Sequence, residues 1–293
     1  MTEDLSANTA DKNSEQLKNQ RFEMLESIAA ELSGEVVFPT CFDIAIRVRN
    51  AMRDPAASLP KIAGVIKTEP LVAAKLLRSA NSAAQGAGGR KITDVESAIG
   101  RLGIDSARST ALACAMDQLL RSRELVVFAN IARALWNHSL LSAAAARVLA
   151  QRLTRVNPED AMLAGLIHDL GAFYMLYRAA KYPELVARPT TVEYLIAQWH
   201  GSIGESLMYA LDIPEHIIEA TRENDNPREE VQELRNLTDV LFVANLLAGG
   251  IIEMERLDIE TEVTRGELSN PVFTDLMDEI KAAHKELLST FTV

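Results

Sequence analysis

The chain has 293 residues, 48% hydrophobic and 24% charged, with a net charge of −11. Such a chain folds as one large domain or two modest ones, and its acidity argues against general binding to nucleic acid or anionic membranes. Two cysteines without paired spacing exclude a disulfide framework and a zinc knuckle, and imply a reducing cytoplasm.

Aromatic residues are only 5% while alanine and leucine abound, which favours close-packed helices over sheets. Residues 1–20 are polar and acidic with no apolar h-region, and read as a disordered tail rather than a signal peptide. RFEMLESIAAELS follows as an amphipathic helix with Phe22, Leu25, Ile28, Ala29 and Leu32 on one stripe. GEVVFP at 34–39 is a short extended lead-in. Ser58 can cap the next helix, with Pro60 in its first turn, and Pro70 opens another. QGAGGR at 85–90 reads as a loop, Thr93 with Glu96 as a capping box, Gly103 as a helix end and Asp105 as the next cap. Beyond RSRE at 121–124 comes a long helix through LWNHSLLSAAAARVL. Asn157–Pro158 then starts a helix whose Glu159 and Asp160 suit its positive end. Further helices are expected near 191–198, 202–211, 214–223, 232–249 and 271–290. The last has an apolar stripe through Val272, Leu276, Ile280 and Leu287 that suits packing back onto the domain. No apolar run approaches the ~18 residues of a membrane span.

The reading is therefore all-α. A boundary near 121–126 separates an N-terminal helical half (21–125) from a second half (126–250), with an acidic helical extension over 251–293. Charge is uneven: residues 35–125 hold thirteen basic and nine acidic residues, residues 251–293 four and ten. Ordinary solvated surface accounts for that; two docking faces of opposite sign would too.

Five histidines are present, at 138, 168, 200, 216 and 284. Imidazole beside carboxylate suits a divalent metal or general acid–base work, so His168–Asp169 in AGLIHDLGAF is the first candidate. Adjacent helical residues point about 100° apart. The pair can share one ion only if the helix bends or ends there, which Gly171 would permit. An isolated buried His–Asp pair satisfied by backbone explains the same residues. His200 reads as a capping or core histidine, His216 and His284 as solvent-facing, and Cys114 as buried and inert. No phosphate loop or nucleophile elbow is present.

The order of motifs resembles the HDOD family, bacterial signalling domains related to the HD phosphohydrolases. FPTCFDIAIRVRNAMRDP, SLPKIAGVIKTEPLVAAKLLRSANSAA and ITDVESAIGRLGIDSARSTALA are similar to its first three signatures. The second of these contains Glu69–Pro70–Leu71, Leu76–Leu77 and Ala80–Asn81–Ser82. LWNHSLLSAAAA, AMLAGLIHDLGAF and HGSIGESLMYALDIPEHIIEA follow in order, so the resemblance spans residues 35–250. It implies an HD-like fold of two packed helical halves plus a C-terminal helix. It also implies metal ligands at His138, His168 and Asp169, and places Asn245, in LFVANLLAGG, where a fourth, aspartate ligand is usual. Two further departures are Ala172, where active relatives often carry lysine, and TRENDNP at 221–227, which lacks their histidines.

The resemblance with its departures implies a non-enzymatic signalling module with a vestigial or weak divalent-metal site. It implies no catalytic set and no expected cofactor, and action through protein partners. A metal-dependent phosphohydrolase of a nucleotide or cyclic dinucleotide is the alternative, and a module that binds such a nucleotide without turnover is a third.

Overall fold

The computed structural model describes residues 5–34, 38–85, 91–222, 224, 228–249 and 265–291, and these are helical with no strand among them. Helix α1 spans Leu5–Leu32, α2 Asp43–Arg53, α3 Leu59–Lys67, α4 Pro70–Gln85, α5 Val95–Leu102 and α6 Ile104–Leu120. A 3-10 turn, Glu124–Phe128, leads into α7, Ala129–Leu153. There follow α8 Pro158–Ile167, α9 Leu170–Ala179, α10 Pro183–Val186, α11 Pro189–Ala210, α12 Glu215–Arg222 and α13 Leu237–Leu247. Two last helices close the chain, α14 over Pro271–Thr274 and α15 over Met277–Phe291.

The all-α architecture is as expected, with several local corrections. Where a disordered tail was expected over 1–20, α1 is already helical from Leu5. Leu17 packs on the core, and Gln20 accepts a hydrogen bond from the Glu184 backbone N–H at 2.9 Å. The stripe on α1 runs through Met24 and Ile28, while Phe22 is 66% exposed. The box at Thr93 and Glu96 is instead an Asp94 cap, whose carboxylate accepts from Ser97 N at 2.8 Å. Asp105 lies inside the first turn of α6, because Gly103, at φ 92°, ends α5 and begins α6 at once. Ser58 stands at the N-cap of α3 without a side-chain hydrogen bond. Asn157 does cap α8, accepting from Glu159 N at 3.0 Å. The two helices expected at 191–198 and 202–211 are one, α11; the glycines there do not break it. The lead-in at 34–39, the glycine loop at 85–90, TRENDNP and the start of the acidic extension fall wholly or partly outside the described residues.

One continuous apolar core joins both halves, with Leu76, Ile99, Met116 and Cys114 on one side and Leu149, Phe173, Leu207 and Val243 on the other. Polar ties cross the same boundary. Arg53 grips Asp212 with two bonds, at 2.5 and 2.6 Å. Glu159 accepts from Ser106 at 2.8 Å and pairs with Arg147 at 3.0 Å. Helix α15 lies along α7 and reaches α4, where buried Lys75 donates to the Phe291 carbonyl at 3.0 Å and pairs with buried Asp117 at 3.8 Å. The apolar stripe of α15 thus packs back through Leu276, Ile280 and Leu287, whereas Val272 stays exposed. Among the described residues no helix is long and apolar enough to cross a membrane.

Candidate functional site

Three helices and one break build the centre. Helix α7 carries His138 on the face that meets α8 and α13. Helix α8 ends at Ile167, and α9 restarts at Leu170. Between them Asp169 leaves helical geometry at φ −97°, ψ 18°. This break answers the 100° problem, since it lets two consecutive side chains turn to one point. Gly171 is not what bends the chain. A Cβ there would lie 1.9 Å from the His200 carbonyl oxygen, so its glycine lets α9 and α11 cross closely. Gly165 does the same for α8 on α7, where a Cβ would come 2.7 Å from the Ser142 backbone.

His138 Nε2 lies 3.2 Å from His168 Nε2 and 3.7 Å from Asp169 Oδ2, and His168 Nε2 lies 3.2 Å from that same oxygen. The backbone sets the tautomers. His138 Nδ1 donates to the Ala248 carbonyl at 3.2 Å, and His168 Nδ1 to the Gly165 carbonyl at 2.9 Å. Carbonyl oxygens only accept, so each neutral ring carries its proton on Nδ1 and turns an Nε2 lone pair inward. Burial, then the neighbouring His168 ring, push the His138 pKa below its ordinary value; Asp169, the Ala248 carbonyl and Asn245 oppose that shift. Asp169 is 0% exposed, and neither of its oxygens has a hydrogen-bond partner.

Two imidazole lone pairs and a bare buried carboxylate repel one another unless positive charge stands among them. Donors about 2.0–2.2 Å from one ion stand roughly 3.0–3.5 Å apart. Two edges of this triangle fall in that range and the third is slightly longer. The residues present therefore fit a divalent ion held by His138 Nε2, His168 Nε2 and Asp169 Oδ2.

Two neighbours complete the surroundings. Asn245 is buried on α13, one turn before the Ala248 carbonyl that holds His138. Its side chain is among the groups that favour the protonated His138 ring, and its Oδ1 is buried without a hydrogen-bond partner. Ala172, in the lysine position, is fully buried, so that position faces packing rather than a phosphate.

His200, read as a capping or core histidine, is a core histidine that also stands near Asp169. It is buried, anchors Nδ1 on the Ile196 carbonyl at 2.8 Å and places Nε2 3.7 Å from Asp169 Oδ1, the oxygen turned away from the other two rings. The available signal was an imidazole on the apolar face of α11, among Ile196, Ile203 and Leu207, where a polar ring needs an interior partner. His216 is exposed and pairs with Asp160 at 3.0 Å, as a surface histidine would. His284, expected in solvent, is half-buried, and its Nε2 is buried without a partner.

The fold has counterparts among solved structures. A protein from Shewanella amazonensis described as a candidate metal-dependent phosphohydrolase is 24% identical, with a TM-score of 0.65 over 91% of this chain and 99% of its own. An HDOD domain protein of unknown function from Geobacter sulfurreducens is 19% identical, with a TM-score of 0.55 over 96% and 99%. A candidate signal transduction protein from Marinobacter aquaeolei is 18% identical, with a TM-score of 0.53 over 94% of this chain and 66% of its own. At these identities the likeness speaks for the fold. No curated protein matches the chain in sequence. The HDOD domain profile, however, matches residues 38–227, most of the chain. With its helical order, its His–Asp break and this match, the chain belongs to the HDOD family.

Proposed function

We propose that the protein is a regulatory module of signal transduction that works by binding a protein partner in the cytoplasm. Its HD centre serves as a structural site that holds at most a weakly bound divalent ion. The observation that carries this reading is Asn245. By the resemblance, Asn245 takes the position of a fourth, carboxylate ligand, and a neutral amide oxygen holds divalent cations less firmly. Buried Ala172 supports it, because it supplies no cation for phosphate. An ion held by His138, His168 and Asp169 would act as a Lewis acid and would acidify a water.

The intact triangle of donors favours a second reading, a metal-dependent phosphohydrolase acting on a nucleotide or cyclic dinucleotide. One experiment separates the two. The purified chain is analysed for metal and assayed with manganese across nucleotides and cyclic dinucleotides, beside His168→Ala. The regulatory reading expects substoichiometric metal and no turnover. Turnover lost in His168→Ala would overthrow it.

A further inference from the structure

Ser142, one turn after His138 on α7, is fully buried. Its hydroxyl oxygen lies 3.5 Å from His138 Nε2, the nitrogen that faces the centre. That direction is a departure. Buried Ser106, Ser109, Thr110 and Ser139, on α6 and α7, each donate to the carbonyl four residues back, the usual outlet for a hydroxyl inside a helix. Ser142 turns instead toward the ring of the residue four back. Its main chain is held closely as well. The Cβ that Gly165 lacks would stand 2.7 Å from the Ser142 backbone, and the Gly165 carbonyl is the one that orients His168. Ser142 therefore sits between the two rings, with its side chain on one histidine and its backbone against the residue that holds the other.

Three protein donors leave a divalent ion short of ligands. Zinc takes at least four, and magnesium or manganese six. The Ser142 oxygen stands from His138 Nε2 at a separation found between donors that share one ion, roughly 3.0–3.5 Å. A neutral imidazole has one lone pair at Nε2. That lone pair can accept the Ser142 hydrogen or ligate an ion, not both. An ion on Nε2 displaces the hydrogen and leaves an oxygen lone pair of Ser142 to face it.

We infer that Ser142 Oγ is a further protein donor to this centre, and that it suits the site to an oxygen-preferring divalent ion such as manganese. The inference rests on the reading of the centre as a weak divalent site. It gives that weakness a second source, because a hydroxyl oxygen is neutral. The competing role has the opposite sign: a hydroxyl that only donates to His138 works against any ion on the same lone pair.

Calorimetry of the chelator-treated full chain with manganese chloride gives the first readout. Ser142→Ala should weaken manganese binding about tenfold. A hydroxyl that merely competes would give the reverse, an unchanged or tighter Kd, and that result overturns the inference. Ser142→Cys gives the second readout, because a thiolate is a soft ligand. The cobalt-loaded variant should gain a thiolate-to-cobalt charge-transfer band in the near ultraviolet, and its preference should move from manganese toward zinc by about tenfold or more. Wild type, which keeps Cys41 and Cys114, is the control for that band. No new band overturns the inference, and so does a wild type that takes up neither manganese nor cobalt. Both substitutions alter a single side-chain atom, and urea melts check that the variants remain folded. Nucleotide turnover lost in His168→Ala would sink the regulatory reading and leave this coordination standing. An unmoved Ser142→Ala affinity without a sulfur band would sink the coordination and leave the regulatory reading standing.

Discussion

Asp169 is fully buried and neither of its oxygens has a hydrogen-bond partner, so an ion bound among the three donors would stabilise the fold. Manganese should therefore raise the urea midpoint of the chelator-treated protein, by about 2.7 kcal/mol of stability at a hundredfold excess over Kd. Asp169→Asn, which keeps the shape and removes the charge, should abolish that shift and be at least as stable as wild type without metal. Asn245→Asp should tighten manganese binding on the order of tenfold by calorimetry, because it adds a carboxylate beside the triangle. An unchanged affinity would mean that Asn245 is not at the ion. His138, His168 and Asp169 were named from motif order, and their donor atoms do come within reach of one another. His200 was read as a core or capping histidine, and only the crossing of α9 and α11 reveals that it also stands near Asp169.

The helices owe their crossings to two glycines that sequence alone could not assign. Gly171→Ala should cost at least about 1–3 kcal/mol, since the new methyl meets a main-chain oxygen that cannot retreat, and Gly165→Ala should behave similarly. Gly64 has open space around its Cβ position, so Gly64→Ala should be neutral or stabilising by up to about 1 kcal/mol in the same urea series. Helix α15 carries a pH response. Burial holds the His284 pKa below its ordinary 6.5, so the unfolded chain takes up that proton first. Stability from this residue is complete above about pH 6.5 and falls as pH drops below it. His284→Leu should shrink the stability lost between about pH 7.5 and pH 5.5, measured against wild type. Helix existence was legible from periodicity and punctuation. Caps were less so, because Asp94 and Thr93 are equally good on paper and only backbone direction picks between them.

Across the whole molecule the two ends are exchanged. Helix α1, first in the chain, packs on α9, α10 and α11 of the second half, with Arg178 reaching Glu31 and Ser27. Helix α15, last in the chain, ends on Lys75 of the first half. No local pattern announces such contacts: Lys75 and Phe291 are 216 residues apart. The chain turns at 121–123, and the apolar core runs continuously across that turn. Lys75→Met leaves buried Asp117 with the part-exposed Arg121 beside it and should cost about 3 kcal/mol, with faster hydrogen exchange confined to α4, α6 and α15. The exchange of ends also has an engineering use. Two genes divided after residue 125 should encode polypeptides that are each soluble only transiently and assemble when co-expressed. The pair would then be a ready-made complementation reporter whose signal depends on reuniting α1 with α11 and α15 with α4.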